Sequence, residues 1–249
     1  MSNKKGHLHP LTHIIQKTND IFRGMGFSIA DGPEIETEHY NFDTLNIPAY
    51  HPARDMWDTF WLKPEESKKL LRTHTSPVQV RYTETHTPPI RIIVPGKVFR
   101  HEATDATHEA QFYQLEGLMI EENVSLANLK WVLEEYFGKL FETETKIRFR
   151  PSYFPFVEPG VEIDMTCFRC GGIGKISEKD CATCKTTGWI EIMGAGMVHP
   201  KVLASMGIDS RKYTGFAFGG GIDRLAMLKF GIPDIRMFYD GDLRLINQF

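Results

Sequence analysis

Arg100 and Glu102 stand two residues apart in the stretch VFRHEATDATHEAQFYQLEG, residues 98–117, which also carries Phe112, Gln114 and Glu116. A fixed guanidinium clamps a phosphate with paired N–H bonds. An aromatic ring gives a base something to stack on. Strand side chains alternate between faces, so Arg100 and Glu102 are expected on one side of a strand, and Gln114 and Glu116 on one face of the next. The hairpin therefore has the parts to hold a nucleotide. The plain alternative is a solvated ladder of ion pairs across two strands.

Two further stretches have chemical potential. GFAFGGGIDRLAML, residues 215–228, has glycines that permit close backbone approach and puts Arg224 on the first turn of a helix. Its glycine spacing is wrong for a dinucleotide fingerprint, and no βαβ unit follows. A helix packed tightly on a strand is the alternative. In RPSYFPFVEPG, residues 150–160, Phe154 and Phe156 alternate, which predicts two rings facing one way on a strand. Core packing is the usual fate of phenylalanine. Pro155 and Pro159, however, disfavour a central strand and point to an edge that lines a pocket.

All four cysteines fall within CFRCGGIGKISEKDCATC, residues 167–184. Cys167 and Cys170 make one Cys-x-x-Cys knuckle, Cys181 and Cys184 the other. That pattern suits a structural zinc with four thiolate ligands; disulfides and redox thiols are the alternatives. Haem attachment is excluded, since Gly171 and Lys185, not histidine, follow the pairs. GGIGKIS is no phosphate loop either: Arg169 stands where the first glycine belongs, and Ile176 where Ser or Thr belongs. VEIDM (161–165) and WIEIM (189–193) alternate apolar and polar residues as half-buried strands do. Residues 166–188 therefore read as a hairpin insertion stapled by metal.

These groups need a scaffold, and 249 residues suffice for one large domain or one with a small appendage. Hydrophobic residues make up 41% and charged ones 24%, as in ordinary globular proteins. The formal net charge is −3, without the basic surplus of a stand-alone nucleic-acid binder, so any nucleic acid meets a local patch or is held by a partner. There is no run of 18 apolar residues for a membrane span, and MSNKKGHLHP lacks the apolar core of a secretory signal. Clustered cysteines fit a cytosolic metal site better than a secreted disulfide scaffold, and a cytoplasmic location is expected.

Helices are predicted at PLTHIIQKTNDIFRGMGF, with Leu11, Ile14, Ile15, Thr18, Ile21, Phe22 and Met25 on one face and Gly26 as the stop; at 125–141, with Ser125 as cap and Leu126, Leu129, Leu133, Phe137 and Leu140 inside; and at 221–230. Strands are predicted at 90–94, 98–102, 113–120 and 146–150. Consecutive strands with helices before and between them argue an α+β fold, an antiparallel sheet with helices on one side.

Taken together the motifs resemble class II aminoacyl-tRNA synthetases. The fRxE strand and loop, and the glycine-rich helix ending in Arg224, are similar to that family's motifs two and three; GFSIADGPEIE, residues 26–36, is similar to motif one, with Pro33 as its proline. More narrowly, HPLT, NFDTLNIPAYHPARDMWDTFW, LRTHTSPVQVR, RPSYFPFVEPG and GAGMVHPKVL resemble the catalytic module of phenylalanyl-tRNA synthetase alpha subunits, from about His9 to Phe249.

The resemblance implies a single catalytic domain over 1–249, using ATP and Mg2+ to activate phenylalanine and pass it to tRNA(Phe). It implies Arg100 on the α-phosphate, Glu102 and Phe112 on adenine, and His108 and Arg224 near the phosphate tail. It implies Gln114, Glu116, His74 and Ser76 around the substrate's ammonium and carboxylate, Trp57 closing over it, Phe154 and Phe156 meeting its ring edge-to-face, and Ala217 at the ring's far end. Glu158 matches a magnesium-linked position shared with the beta subunit. A beta-subunit partner in a heterotetramer is expected. Bacterial alpha subunits of the family usually begin with a coiled-coil arm, whereas nine residues precede Pro10 here; the sequence runs to LINQF without residues resembling the anticodon-binding appendage of single-chain forms, so a separate beta partner is the expectation. The rival is a non-catalytic synthetase-like paralogue that senses an amino acid or regulates a partner. Retention of Arg100, Glu102 and Arg224 favours an enzyme.

Overall fold

A computed structural model describes residues 6–54 and 59–249. Helix α1 (Pro10–Gly24) starts where proline suits the first helical position, and the His9 ring caps it by accepting the Leu11 N–H at 3.2 Å. Gly26, with φ of +82°, turns the chain out of it. Leu11, Ile14, Thr18, Ile21 and Phe22 are buried as the periodicity predicts, with Ile15 and Met25 half-buried at the margin. The Phe22 ring meets Tyr136 at 4.8 Å and Phe218 at 5.7 Å, tying the helix to two other elements. Burying one such ring contributes about 1.5–3 kcal/mol.

The main sheet has seven strands: β1 (Ser28–Ile29), β4 (Ile90–Phe99), β5 (Gln111–Glu121), β6 (Ile147–Phe154), β7 (Val157–Thr166), β10 (Trp189–Val198) and β11 (Thr214–Gly221). Two short ribbons lie outside it, β2 (Ile35–Thr37) with β3 (Lys69–Leu71), and β8 (Lys175–Ile176) with β9 (Lys179–Asp180). The sheet order is β1-β4-β5-β11-β10-β7-β6. Every neighbouring pair is antiparallel except β1 with β4.

The remaining helices are α2 (Glu38–Asn41), α3 (Pro77–Thr83), α4 (Leu126–Phe141), α5 (Pro200–Ser205), α6 (Ile222–Phe230) and α7 (Leu243–Ile246). Ser125 starts α4 by donating its N–H and hydroxyl to Asn128 Oδ1 at 2.9 and 2.8 Å. The longer helices α1, α4 and α6 cover one face of the sheet, over Leu115, Met119, Phe216 and Phe218. The sequence order suggested helices on that side alone. The short α3 and α5 cover part of the other face, over Leu118, Ile120 and Ala217. Being short, they leave part of that face open, and Gln114 and Glu116 share its parity.

Four local expectations change. Residues 90–94 and 98–102 are not two strands: β4 runs unbroken through Pro95, beyond the two positions where β1 pairs with it, and it ends at Phe99. Arg100 and Glu102 therefore lie past the strand, where the Glu102 N–H closes a tight turn onto the Arg100 carbonyl at 2.9 Å. Phe154 ends β6, but Phe156 sits in the two-residue turn before β7. Strand β6 is the sheet edge, but the prolines expected to mark an edge are not on it: Pro155 lies in the turn, and Pro159 lies inside the interior strand β7, where both ladders slip register and a missing N–H is tolerated.

Candidate active site

Two cavities meet at Arg100, the first on the face left open by the short helices and the second against α6. The first, about 360 Å³, is walled at one end by Phe154, Phe156 and Ala217 and at the other by His74, Ser76 and Glu116. The Phe154 and Phe156 ring centroids lie 5.9 Å apart, inclined by 24°. Gly194 makes room for the first ring: a Cβ there would stand 2.8 Å from Phe154 Cζ. An apolar end and a polar end suit a small amphipathic molecule with a ring.

Polar atoms at the other end are short of partners among the described residues. Among the described residues Oε1 of Gln114 is buried without a hydrogen bond, and neither buried ring nitrogen of His74 makes one of good geometry, its polar neighbour being the Asn41 backbone. Leaving such groups unpaired is costly unless a ligand or water meets them. Burial, helped by the nearby Arg100 charge, pushes the His74 pKa down to about 3, so its ring is neutral. Burial pushes Glu116 up to about 7, against hydrogen bonds from Ser76 and Thr75 and the Arg100 charge. Glu116 accepts from Gln79 Nε2 at 3.0 Å and Gln114 Nε2 at 3.2 Å.

The second cavity, about 240 Å³, is lined by Glu102, His108, Phe112 and Arg224. The Arg100 guanidinium carbon lies 5.1 Å from the Phe112 ring centroid, on the ring face. His108 Nδ1 is 3.0 Å from both Asp105 carboxylate oxygens, and this hydrogen bond raises the His108 pKa while holding Asp105 well below the usual carboxylate range. At its inner end Asp223, on the first turn of α6, accepts the Tyr113 N–H at 2.7 Å and the Tyr239 hydroxyl at 2.5 Å. Burial lifts Asp223 to about 6. This carboxylate fastens the strand carrying Phe112 and Gln114 to the helix carrying Arg224.

Arg100 lines both cavities. Its Nε donates to the Thr73 carbonyl at 3.0 Å. Thr73 is clamped in turn by buried Asn41, which donates to its hydroxyl at 3.0 Å and accepts its N–H at 3.3 Å. The structure thus gathers His74, Ser76, Gln114, Glu116, Phe154, Phe156 and Ala217 around one cavity and Glu102, His108, Phe112 and Arg224 around the other. Trp57 lies outside the described residues. Glu158 lines neither cavity; its side chain is 73% exposed and pairs with His199 Nε2 at 3.3 Å.

Sequence reasoning passed over Gln79, Asn41 and Asp223. Gln79 had a usable signal, three residues after Ser76 at the start of a helix and hence on the same face. The other two had none, because their partners are distant in the chain.

The cysteines form a separate cluster. Their four Sγ atoms lie within 4.8 Å of one another, with Cys167–Cys181 at 3.8 Å and Cys170–Cys184 at 3.7 Å. A disulfide would need about 2.05 Å. Four thiolates about 2.3 Å from a tetrahedral zinc would sit roughly 3.8 Å apart. The Gly174 and Gly188 N–H groups donate to Cys170 and Cys184 Sγ at 3.2 and 3.3 Å, as knuckle backbones can. The set fits a metal ion. It sits on the helical side: Phe168 stacks on Phe141 of α4 at 4.6 Å.

Among the described residues no helix is long and apolar enough to cross a membrane. The family described as tRNA synthetases class II core domain (F) matches residues 1–249. The phenylalanine–tRNA ligase alpha subunit of Anoxybacillus flavithermus is 56% identical over 248 residues, 99% of this chain and 70% of that protein. Its counterpart in Bacillus subtilis is 54% identical over 246 residues, covering 98% and 69%. A solved pyrrolysyl-tRNA synthetase from Desulfitobacterium hafniense shares the fold, with a TM-score of 0.69 at 19% identity over 97% of this chain and 76% of that one. The chain belongs to the class II tRNA synthetase core family, alongside the phenylalanine–tRNA ligase alpha subunits.

Proposed function

We propose that this chain is the catalytic alpha subunit of a phenylalanine–tRNA ligase, activating phenylalanine with ATP and transferring it to tRNA(Phe). The observation that carries the reading is Arg100, the cation shared by a ring-walled cavity and a second cavity lined by Glu102, His108, Phe112 and Arg224. Adenylation brings two anions together: a carboxylate oxygen of phenylalanine attacks the α-phosphorus, a new P–O bond forms, and the bond to the β-phosphate breaks to release pyrophosphate. A cation between the two sites lowers their repulsion and stabilises the charge that builds on phosphorus. No enzyme nucleophile is required; positioning does the rest.

In this reading Arg100 holds the α-phosphate, Phe112 and Glu102 take the adenine, and His108 and Arg224 meet the phosphate tail. A raised His108 pKa favours the cationic form that phosphates want. Glu116 and Gln114 hold the ammonium group, with His74 and Ser76 beside the carboxylate. Phe154 and Phe156 present rings to the substrate ring, Ala217 closes its far end, and Trp57 closes over it. ATP is used as its magnesium complex, the ion held mainly by phosphate oxygens. Glu158 lies outside both cavities and is exposed, open to a magnesium ion whose other ligands the beta subunit would supply. In the second step a ribose hydroxyl of the tRNA's terminal adenosine attacks the acyl carbon and AMP leaves.

Residues 1–249 act as one catalytic unit, with 166–188 inserted as a hairpin stapled by structural zinc. The alpha-subunit relatives imply a beta-subunit partner, and we propose a cytoplasmic heterotetramer. ATP–pyrophosphate exchange over a panel of amino acids, with and without a beta subunit, tests the reading. Exchange stimulated selectively by phenylalanine supports it. Absence of exchange with any amino acid, in the presence of the beta subunit, leaves the non-catalytic paralogue in its place.

A further inference from the structure

Arg72 is buried at 2% exposure, a charged side chain in the interior. Its hydrogen bonds go to main-chain carbonyls. Nε donates to Lys97 O at 2.8 Å, and one terminal nitrogen donates to Gly32 O at 2.9 Å and Pro33 O at 3.4 Å. Its backbone joins the same segments: the Arg72 N–H donates to Glu34 O and its carbonyl accepts the Phe99 N–H, both at 2.9 Å. The next carbonyl, Thr73 O, takes the Arg100 Nε bond. Residues 97, 99 and 100 are thus each fastened to residues 72–73. A buried guanidinium is expensive to desolvate, and apolar packing alone gives no reason to keep one. A planar fork with several donors can, however, hold separate carbonyls at fixed angles, which an ammonium cannot.

We infer that Arg72 is a positioning residue for Arg100, its guanidinium fixing the Lys97–Phe99 backbone against the Gly32–Glu34 segment so that Arg100 reaches both cavities. The inference rests on the adenylation reading above. Arg72 touches no substrate; it acts through the arginine that does.

The test is Arg72→Lys, alone and combined with Arg100→Ala, in the chain assembled with its beta subunit. Pyrophosphate exchange is measured together with amide hydrogen exchange of residues 97–100. Arg72→Lys is expected to lower the exchange turnover by about a hundredfold, the scale of misplacing a reacting group by an ångström. In the Arg100→Ala background the same change should cost less than about threefold, because the group it positions is gone. Amide protection at 97–100 should fall by about tenfold or more. Should Arg72→Lys not fold, Gly96→Ala carries the same test. Its new methyl would overlap Arg72 Nη2 and stand 3.1 Å from Thr75 Cγ2, displacing the guanidinium without altering it. Native turnover in a folded variant, or a loss that carries undiminished into the Arg100→Ala background, overturns the inference. If the native assembly does not exchange with phenylalanine, the adenylation reading fails instead. Amide protection then decides the positioning role: a drop supports it, and unchanged protection overturns it.

Discussion

Gly219 lies opposite Glu116 in the ladder between β5 and β11, and a Cβ at Gly219 would stand 2.9 Å from Glu116 Cγ and 3.3 Å from Gln114 Nε2. The two polar side chains therefore lie down over bare backbone. Their carboxylate and amide sit low enough to leave space above them for a ligand. The glycine is needed at this point for its missing side chain.

Gly219→Ala is accordingly expected to push Glu116 and Gln114 up into the cavity. Overpacking of this kind costs roughly 1–3 kcal/mol. It should appear as a raised KM for phenylalanine with the KM for ATP little changed, since the second cavity does not depend on that carboxylate. Equal rises in both constants in exchange assays would contradict this geometry.

Glu116 gives a pH dependence with a definite sign. Its carboxyl titrates near 7 in the free protein, mainly because it is buried. If the ionised form holds the substrate ammonium, kcat/KM for phenylalanine should fall about tenfold per unit as pH drops below that value. Glu116→Gln should be weak and lack this acid limb. Stability runs the other way. The folded pKa lies above the unfolded one, so the folded chain binds the proton more tightly, and Glu116 costs stability at pH values above about 7 that it does not cost below the unfolded pKa. Melting temperatures of Glu116→Gln and native protein should therefore differ more at pH 8 than at pH 4.

Ala217 lines the ring end of the first cavity, on the strand between Leu118 and Gly196. Removing its methyl in Ala217→Gly should admit para-substituted phenylalanines. The gain in relative kcat/KM for such an analogue is bounded by about 1–3 kcal/mol, the value of one methylene in an apolar pocket. A para-halogenated phenylalanine that is activated no better, relative to phenylalanine, would move Ala217 away from the ring.

The cysteine cluster should bind one zinc per chain through all four thiolates, a closed set with no position left for a reacting water. A Cys167→Ser, Cys181→Ser double variant is expected to lose the metal, melt at lower temperature and keep phenylalanine activation, because Phe168 anchors the hairpin on the helical side, away from both cavities. Metal analysis, thermal melting, exchange and tRNA charging together check this. Native protein without zinc would remove the staple. Lost charging with intact activation would make the hairpin an RNA contact.

Helices α1, α4 and α6 and the paired cysteine knuckles were legible in the residues alone. Each is marked locally: by a period of 3.6, by a cap such as Ser125, by a stop such as Gly26 or Gly231, or by ligand spacing. The candidate site residues were legible too, though largely through resemblance to a family. Only the tertiary structure put Arg100 between two cavities, carried Phe156 off the strand into a turn, and ended β4 before Arg100 and Glu102. It also supplied Arg72, Asn41 and Gln79. Arg72 reaches Gly32 and Lys97, Asn41 reaches Thr73, and Gln79 reaches Glu116. A buried polar residue is tolerated only for the partner it meets, and that partner is brought by the tertiary fold from tens of residues away, where neither periodicity nor local propensity carries information.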